Sequence, residues 1–214
     1  MEETLDIDME ETDTIEKGKV LLKREWSFWE NYESKEKKGK DQDYSELTKE
    51  IYTFNDIISF WQFWNHYPGN DIKKIFFDGE CLRYFFKEKY RIIAMNIFQK
   101  DIRPEWEDNK NKKGSILTLS YMIKNEEIDD FLSQASKSWI KLICLLIGET
   151  LPNCENINGI RFVDKTKLGY NKSIIFKYEI WVNSNMKENQ LDKLKQYCTE
   201  TFGCQGTIKH INSK

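Results

Sequence analysis

The sequence predicts an α+β fold, a mainly antiparallel sheet with helices on one face. Three observations lead there. Strand-like segments and long helical segments alternate along the chain, but without the regular βαβ rhythm of a parallel sheet. The strand candidates alternate or mix apolar and polar side chains, as strands with one solvated face do. With 214 residues of which 39% are hydrophobic, the chain has the size of one domain with a full core. No internal repeat is visible.

Taken in order, residues 1–19 are mostly acidic and polar with almost nothing to bury, so a disordered tail is expected. A single domain then runs over 20–214. From Val20 the string VLLKREWSFW reads as a half-buried strand, followed by a lysine-rich loop, ESKEKKGKDQD, with Tyr44 at its far end. Glu46 to Phe54 is a second strand. Asn55 or Asp56 then caps a helix reaching Tyr67, where Pro68-Gly69 ends it. On that helix Ile57, Trp61 and Trp64 share one stripe and Phe60, Phe63 and Tyr67 another, an apolar arc wider than one core can cover. Residues 71–91 are charged and aromatic with no clean period. Arg91 to Phe98 is a strand, and the polar loop DIRPEWEDNKNKKG that follows holds a single tryptophan, Trp106.

Ser115 to Ile123 alternates as a strand, and Glu126 to Ile147 forms the longest helix. Its core stripe is Ile128, Leu132, Ala135, Trp139, Leu142 and Leu146, while Ile140, Cys144 and Ile147 make a second, smaller apolar patch beside Lys141. Strands over 159–163 and 173–182 precede a last helix. Asn185-x-x-Glu188 resembles a capping box at its start and Gly203 marks its end. Thr207 to Ile211 closes the sheet as an edge strand.

Composition excludes several functions. The net charge of -3, from 33 basic and 36 acidic residues, provides no global positive field for a long polyanion, so any nucleic-acid contact is local. Five cysteines form an odd set with no C-x-x-C pair, which argues against a disulfide framework or zinc knuckle and for a reducing compartment. His66 and His210 lack metal-ligand spacing and read as core or surface residues. There is no apolar leader and no run near the ~20 residues a membrane span needs. A soluble cytoplasmic protein is therefore expected, without metal or cofactor. G-x-S-x-G, H-E-x-x-H and G-x-x-x-x-G-K-[ST] are all missing, which disfavours an enzyme.

The informative segment is Pro104-Glu105-Trp106-Glu107-Asp108-Asn109. A guanine offers two donors on its Watson–Crick edge, and a carboxylate offers two acceptors in matching geometry. Trp106 and Glu107 side by side suit stacking that base and reading its edge. If N7 is methylated the base is cationic, and a facing ring gains cation–π attraction. The alternative is a tryptophan folded into the core beside a solvated acidic pair.

RPEWEDNKNKKG, with REWSFW upstream, FNDIISFWQFWNH between them, CLLIGE in the long helix and KYEIW near the C-terminus, resembles the eukaryotic translation initiation factor 4E family of messenger RNA cap-binding proteins. The blocks stand in the family's order from about Val20 to Ile211. The resemblance implies a cupped, curved antiparallel sheet with helices on its convex back and a cap slot on the concave side. It implies that Trp106 stacks the 7-methylguanosine base and Glu107 reads its edge. Tyr44, ten positions before Phe54, falls where the family usually has the second stacking Trp, and some second-class members, the 4E homologous proteins, also use Tyr there. Trp181 matches the Trp near the methyl group. For the cap phosphates Lys177 matches the family lysine and Lys165 the arginine, with Arg161 as a substitute should the alignment slip.

The same resemblance implies partners, a 4G-type scaffold or a 4E-binding protein presenting a Tyr-x-x-x-x-Leu-apolar helix to Ile57, Trp61 and Ile140. Lys141 stands where the family usually has glutamate, which places partner choice in question. An insertion relative to the family falls around 71–91. A monomeric initiation factor binding capped messenger RNA is the first expectation. A cap-binding repressor of the second class, consistent with Tyr44 and Lys141, and an interaction module without cap binding are the alternatives.

Overall fold

The structure, a computed structural model, describes residues 15–16, 19–34, 44–78, 81–82, 90–124, 128–166 and 173–211. Its strands are β1 (Ile15–Glu16), β2 (Lys19–Ser34), β3 (Thr48–Asp56), β4 (Phe77–Asp78), β5 (Cys81–Leu82), β6 (Tyr90–Gln99), β7 (Ser115–Lys124), β8 (Ile157–Asp164), β9 (Ser173–Val182) and β10 (Gly206–His210). Its helices are α1 (Ile57–His66), α2 (Ile72–Phe76), α3 (Ile128–Ile147) and α4 (Glu188–Phe202), and a 3-10 turn at Tyr44–Leu47 leads into β3. Eight strands form one sheet in the order β1-β2-β6-β8-β9-β7-β10, with β3 also pairing β2. Each of its pairings is antiparallel. The α+β sheet expected from the sequence is the one observed.

Strand alternation sorts the side chains onto two faces. The large core contains Phe28, Met95, Ile97, Leu117, Ile160, Phe162, Tyr178 and Ile180 from the sheet and Phe60, Trp64, Trp139 and Leu194 from the helices. The opposite face carries only a small cluster, Trp29, Phe98, Ile102, Ile116, Trp181 and Ile211. The helical face is thus sealed by packing, and the other is free to carry polar chemistry.

Helix α1 begins where Asp56 accepts hydrogen bonds from the Ser59 N–H at 2.8 Å and the Ser59 hydroxyl at 2.6 Å. Burial alone would raise the Asp56 pKa, but those two bonds, with Lys19 nearby, hold it below the ordinary carboxylate value. The helix stops as Tyr67 turns extended ahead of Pro68. Its wide apolar arc is divided: Phe60 and Trp64 are 0% and 5% exposed, whereas Ile57, Ile58 and Trp61 stand at 37%, 44% and 39%. Trp64 parts from the Ile57–Trp61 stripe because it lies only about 40° from Phe60 around the helix, against about 100° for Trp61.

Two local expectations change. The last helix starts at Glu188, and the side chain that reaches back is that of Gln190, whose Oε1 accepts the Lys187 N–H at 2.9 Å. Asn185 lies earlier, in a turn closed by Asn183 Oδ1 accepting its N–H at 2.9 Å; Asn competes for the backbone equally well in turns and caps. Within 71–91, α2 contributes Ile72, Ile75 and Phe76 to the core, with Phe76 stacked on Phe162 at 5.5 Å. A small hairpin, β4–β5, follows. Residues 79–80 and 83–89 lie outside the described residues, as does most of the expected tail; Ile15 and Glu16 pair with Val20 and Lys19.

Candidate functional site

Strand register builds the concave face row by row. Lys209 of β10 stands opposite Ile116 of β7, Ile116 opposite Trp181 of β9, Trp181 opposite Gly159 of β8, and Gly159 opposite Phe98 of β6. The glycine is required here because a Cβ at Gly159 would stand 2.4 Å from the Phe98 ring. Its absence lets Phe98 meet Trp181 edge-on at 5.6 Å.

The next row runs Thr118, Glu179, Arg161, Asn96 and Trp29. Here polar neighbours bond across strands: Arg161 Nε donates to Asn96 Oδ1 at 2.8 Å, and its two terminal nitrogens donate to Glu179 Oε2 at 3.3 Å and Asn31 Oδ1 at 3.4 Å. Glu179 Oε2 also accepts the Trp181 indole N–H at 3.2 Å. Asn31 in turn donates to Thr48 Oγ1 at 2.6 Å, at the foot of the turn holding Tyr44. Lys177 and Val163 lie opposite each other in the following row, and Lys165 extends β8, its N–H bonded to Ile175 O at 2.8 Å.

Over this floor hangs the loop between β6 and β7. Asp108 ties it from within, its carboxylate accepting the N–H groups of Arg103 at 2.9 Å and Lys110 at 2.8 Å. Asn111, 1% exposed, donates to the carbonyls of Arg103 and Glu105, both at 2.8 Å. Asn158 of β8 donates to Asn111 Oδ1 at 2.9 Å and Lys110 O at 2.8 Å. Arg103 pairs with Glu105 at 2.9 Å. The loop closes at Gly114, where a Cβ would stand 2.0 Å from Val182 O. At its tip Trp106 is 50% exposed, and Glu107 is exposed beside it. Trp106 therefore does not fold into the core, and Asp108 is a brace and not half of a solvated acidic pair.

Between loop and floor lies an open slot of about 760 Å³. Trp106, Glu107, Trp181, Arg161, Lys165 and Lys177 all line it, joined by Pro104, Glu105, Glu179 and Lys209. Six of the seven residues singled out for the ligand thus converge there. The seventh, Tyr44, has its backbone in the 3-10 turn, and its side chain lies outside the described residues. Trp181 is 1% exposed and forms part of the slot's wall. Arg161 is engaged by Asn96, Glu179 and Asn31, while Lys165 is exposed and Lys177 half-buried. Among the described residues no group of His, Cys, Asp and Glu is arranged to hold a metal ion. Burial pushes the Cys198 thiol up to about 12, with Cys204 adding to the effect, so it stays protonated and inert.

The model of the eukaryotic initiation factor 4E family matches residues 21–212. The chain belongs to that family. Translation initiation factor 4E of Candida albicans is 28% identical over 145 residues, covering 67% of this chain and 58% of that protein. The Saccharomyces cerevisiae factor is 26% identical over 168 residues, 78% of this chain and 63% of that protein. The chain spans about three-fifths of the length of these relatives. Its fold is shared with Caenorhabditis elegans eIF4E-3, solved with the 4E-binding protein Mextli, at TM-score 0.59 and 15% identity over 86% of this chain and 87% of that one. It is shared also with Schistosome eIF4E complexed with m7GpppA and 4E-BP, at TM-score 0.58 and 22% identity over 89% and 87%.

On the other side of the sheet, this factor 4E family member exposes Ile57 and Trp61 on α1, with Ile140 half-buried on α3. Lys141 points toward α4, its Nζ donating to Thr201 O at 3.4 Å and lying 5.6 Å from the Phe202 ring. Sequence reasoning missed Asn111, Asn158, Glu179 and Lys209. Asn111 stands inside the RPEWEDNKNKKG string and Asn158 in none of the quoted blocks, and only their buried hydrogen bonds reveal their work. Glu179 shows a weak signal, a charge at the slot-facing parity two residues before Trp181.

Proposed function

We propose that the slot binds the 7-methylguanosine 5′ cap of messenger RNA. The observation that carries this reading is Trp106, half exposed beside Glu107 on a loop braced from within, facing a concavity with lysines at its far side. A buried indole would have no face to offer. Trp106 stacks the purine, with Tyr44 as the second ring, and Glu107 accepts from the N1–H and 2-amino groups. Trp181 walls the end near the methyl group. Lys165 and Lys177 meet the phosphates as point charges, whereas Arg161 orients Glu179 and Trp181. The ligand is held and no bond in it is broken, so the protein is a cytoplasmic binding factor and not an enzyme.

On the convex face we assign Ile57, Trp61, Ile140 and Lys141 to an amphipathic partner helix of the Tyr-x-x-x-x-Leu-apolar kind, borne by a 4G-type scaffold or a 4E-binding protein. One observation favours the second-class repressor as a second reading: the cation Lys141 sits in this surface, which suits a partner of altered charge. Recovery of a silencing partner without the initiation scaffold in pull-downs would select it.

Tryptophan fluorescence titration with 7-methyl-GTP and GTP tests the slot. Tight binding of the methylated nucleotide is expected, weakened about ten- to a hundredfold by Trp106→Ala, the range for losing one stacking partner. Equal affinity for the two nucleotides, or no effect of the substitution, would refute the assignment.

A further inference from the structure

Lys209 holds its ammonium 4.4 Å from the centroid of the Trp106 ring, inside the ~6 Å range of a cation–π contact. Its position is fixed by three features. It lies opposite Ile116 on the edge strand β10. The end of that strand is tied to the loop exit by the Ile211 N–H bonding to Gly114 O at 2.8 Å. The adjacent His210 Nδ1 is 2.8 Å from Ser115 Oγ. Three carboxylates line the same slot, Glu105, Glu107 and Glu179. Glu105 pairs with Arg103 and Glu179 with Arg161, and Lys209 forms no salt bridge with a described residue. The aromatic face is what its charge meets.

Resting on the cap-binding reading above, we propose that Lys209 sets the slot's discrimination between cationic and neutral purines. An indole face attracts cations through its negative quadrupole. An ammonium already beside that face satisfies part of the attraction and repels a second positive charge stacked on the ring. A neutral guanine feels no such repulsion, while the phosphates of both nucleotides are attracted by Lys209 alike. The ratio of affinities for 7-methyl-GTP and GTP therefore isolates the effect on the base. Lys209 lowers that ratio, which makes the slot more tolerant of unmethylated ends than Trp106 and Glu107 alone would be.

The test is fluorescence titration of the wild type and of Lys209→Met, which keeps an apolar stem and removes the charge. The preference for 7-methyl-GTP over GTP should rise about three- to tenfold, the scale of one unit charge near a partly exposed ring, and Lys209→Arg should leave it near the wild-type value. A ratio that stays the same or falls, in a wild type that itself prefers the methylated nucleotide, would overturn the role of Lys209 and leave the cap assignment standing. A wild type binding neither nucleotide would overturn both. A readout without ligand accompanies it: in the free protein the Lys209 side-chain methylene protons should be shifted upfield by the Trp106 ring current and return to ordinary values in Trp106→Leu. Unshifted protons in the wild type would remove the contact on which the proposal stands.

Discussion

Asn111 spans the base of the β6–β7 loop with its carboxamide, giving both donor hydrogens to carbonyls of the loop's ascending limb and accepting the Asn158 amide N–H on its oxygen. Removing that amide leaves Arg103 O and Glu105 O without those donors beneath the residue that stacks the ligand. Asn111→Ala should cost about 1–3 kcal/mol of stability and weaken cap-analogue binding, although Asn111 does not line the slot. Thermal melts paired with titration check this, and full-strength binding with an intact melt would show the brace to be dispensable. At this scale the sequence was informative about type and silent about assignment. Trp106 and Glu107 drew attention because an indole beside a carboxylate suits guanine, but spacing left open a tryptophan folded into the core, and the family resemblance is what assigned them roles. Asp108, the next carboxylate, looks identical in one dimension and acts on the backbone instead, because the turn directs its oxygens to the N–H groups of Arg103 and Lys110.

Helix α1 illustrates the scale of elements. Its apolar surplus was readable from spacing, since ten residues with six large apolar side chains cannot all face one core. Which of them would be left outside was less so: Trp64 and Trp61 are three positions apart, and the sheet takes the first. Trp61→Ala removes a side chain that stands 39% exposed. Because the Trp61 ring also meets Phe60 edge-on at 5.0 Å, the change should cost about 0.5–1.5 kcal/mol of stability while abolishing capture of a Tyr-x-x-x-x-Leu-apolar peptide. Calorimetric titration with such a peptide and a melt of the variant separate the two effects; undiminished peptide binding would move the partner surface elsewhere. The start of α4 was misplaced by a few residues for a general reason, that the carbonyl oxygens of Asn and Gln side chains near a helix entrance compete for the same few N–H groups.

For the molecule as a whole, the sheet order β2-β6-β8-β9-β7 pairs segments far apart in the chain, and nothing local encodes such pairings. The resemblance to a known family implied a cupped antiparallel sheet with helices on its back but no strand order, and periodicity alone stopped at α+β. The slot draws its lining from the loop after β6 and from β7, β8, β9 and β10, so a bound ligand bridges most of the domain. Cap analogue at a hundred times its dissociation constant should therefore add about 2.7 kcal/mol to the unfolding free energy. The melting midpoint should rise by about 5–10 °C for a chain of this size. Differential scanning fluorimetry reads this directly, and Trp106→Ala should show little of the shift. A wild type whose midpoint does not move would contradict a ligand bound across several strands.

The single-layer sheet has a further consequence along β2, where Trp29 and Asn31 lie on the slot's side of the sheet while Phe28 packs on the other side against Phe63 of α1 and Tyr67 just beyond it. Neighbouring letters of the chain thus serve opposite masters. Losing one residue between Trp26 and Asn31 would transpose the two sets, thrusting hydrocarbon into the nucleotide chamber and amides beneath the helices, whereas losing two would restore the parity. A single-residue length change in this strand should therefore be accommodated only by a compensating bulge, of the kind its pairings already carry at Phe28/Trp29 and Asn31/Tyr32.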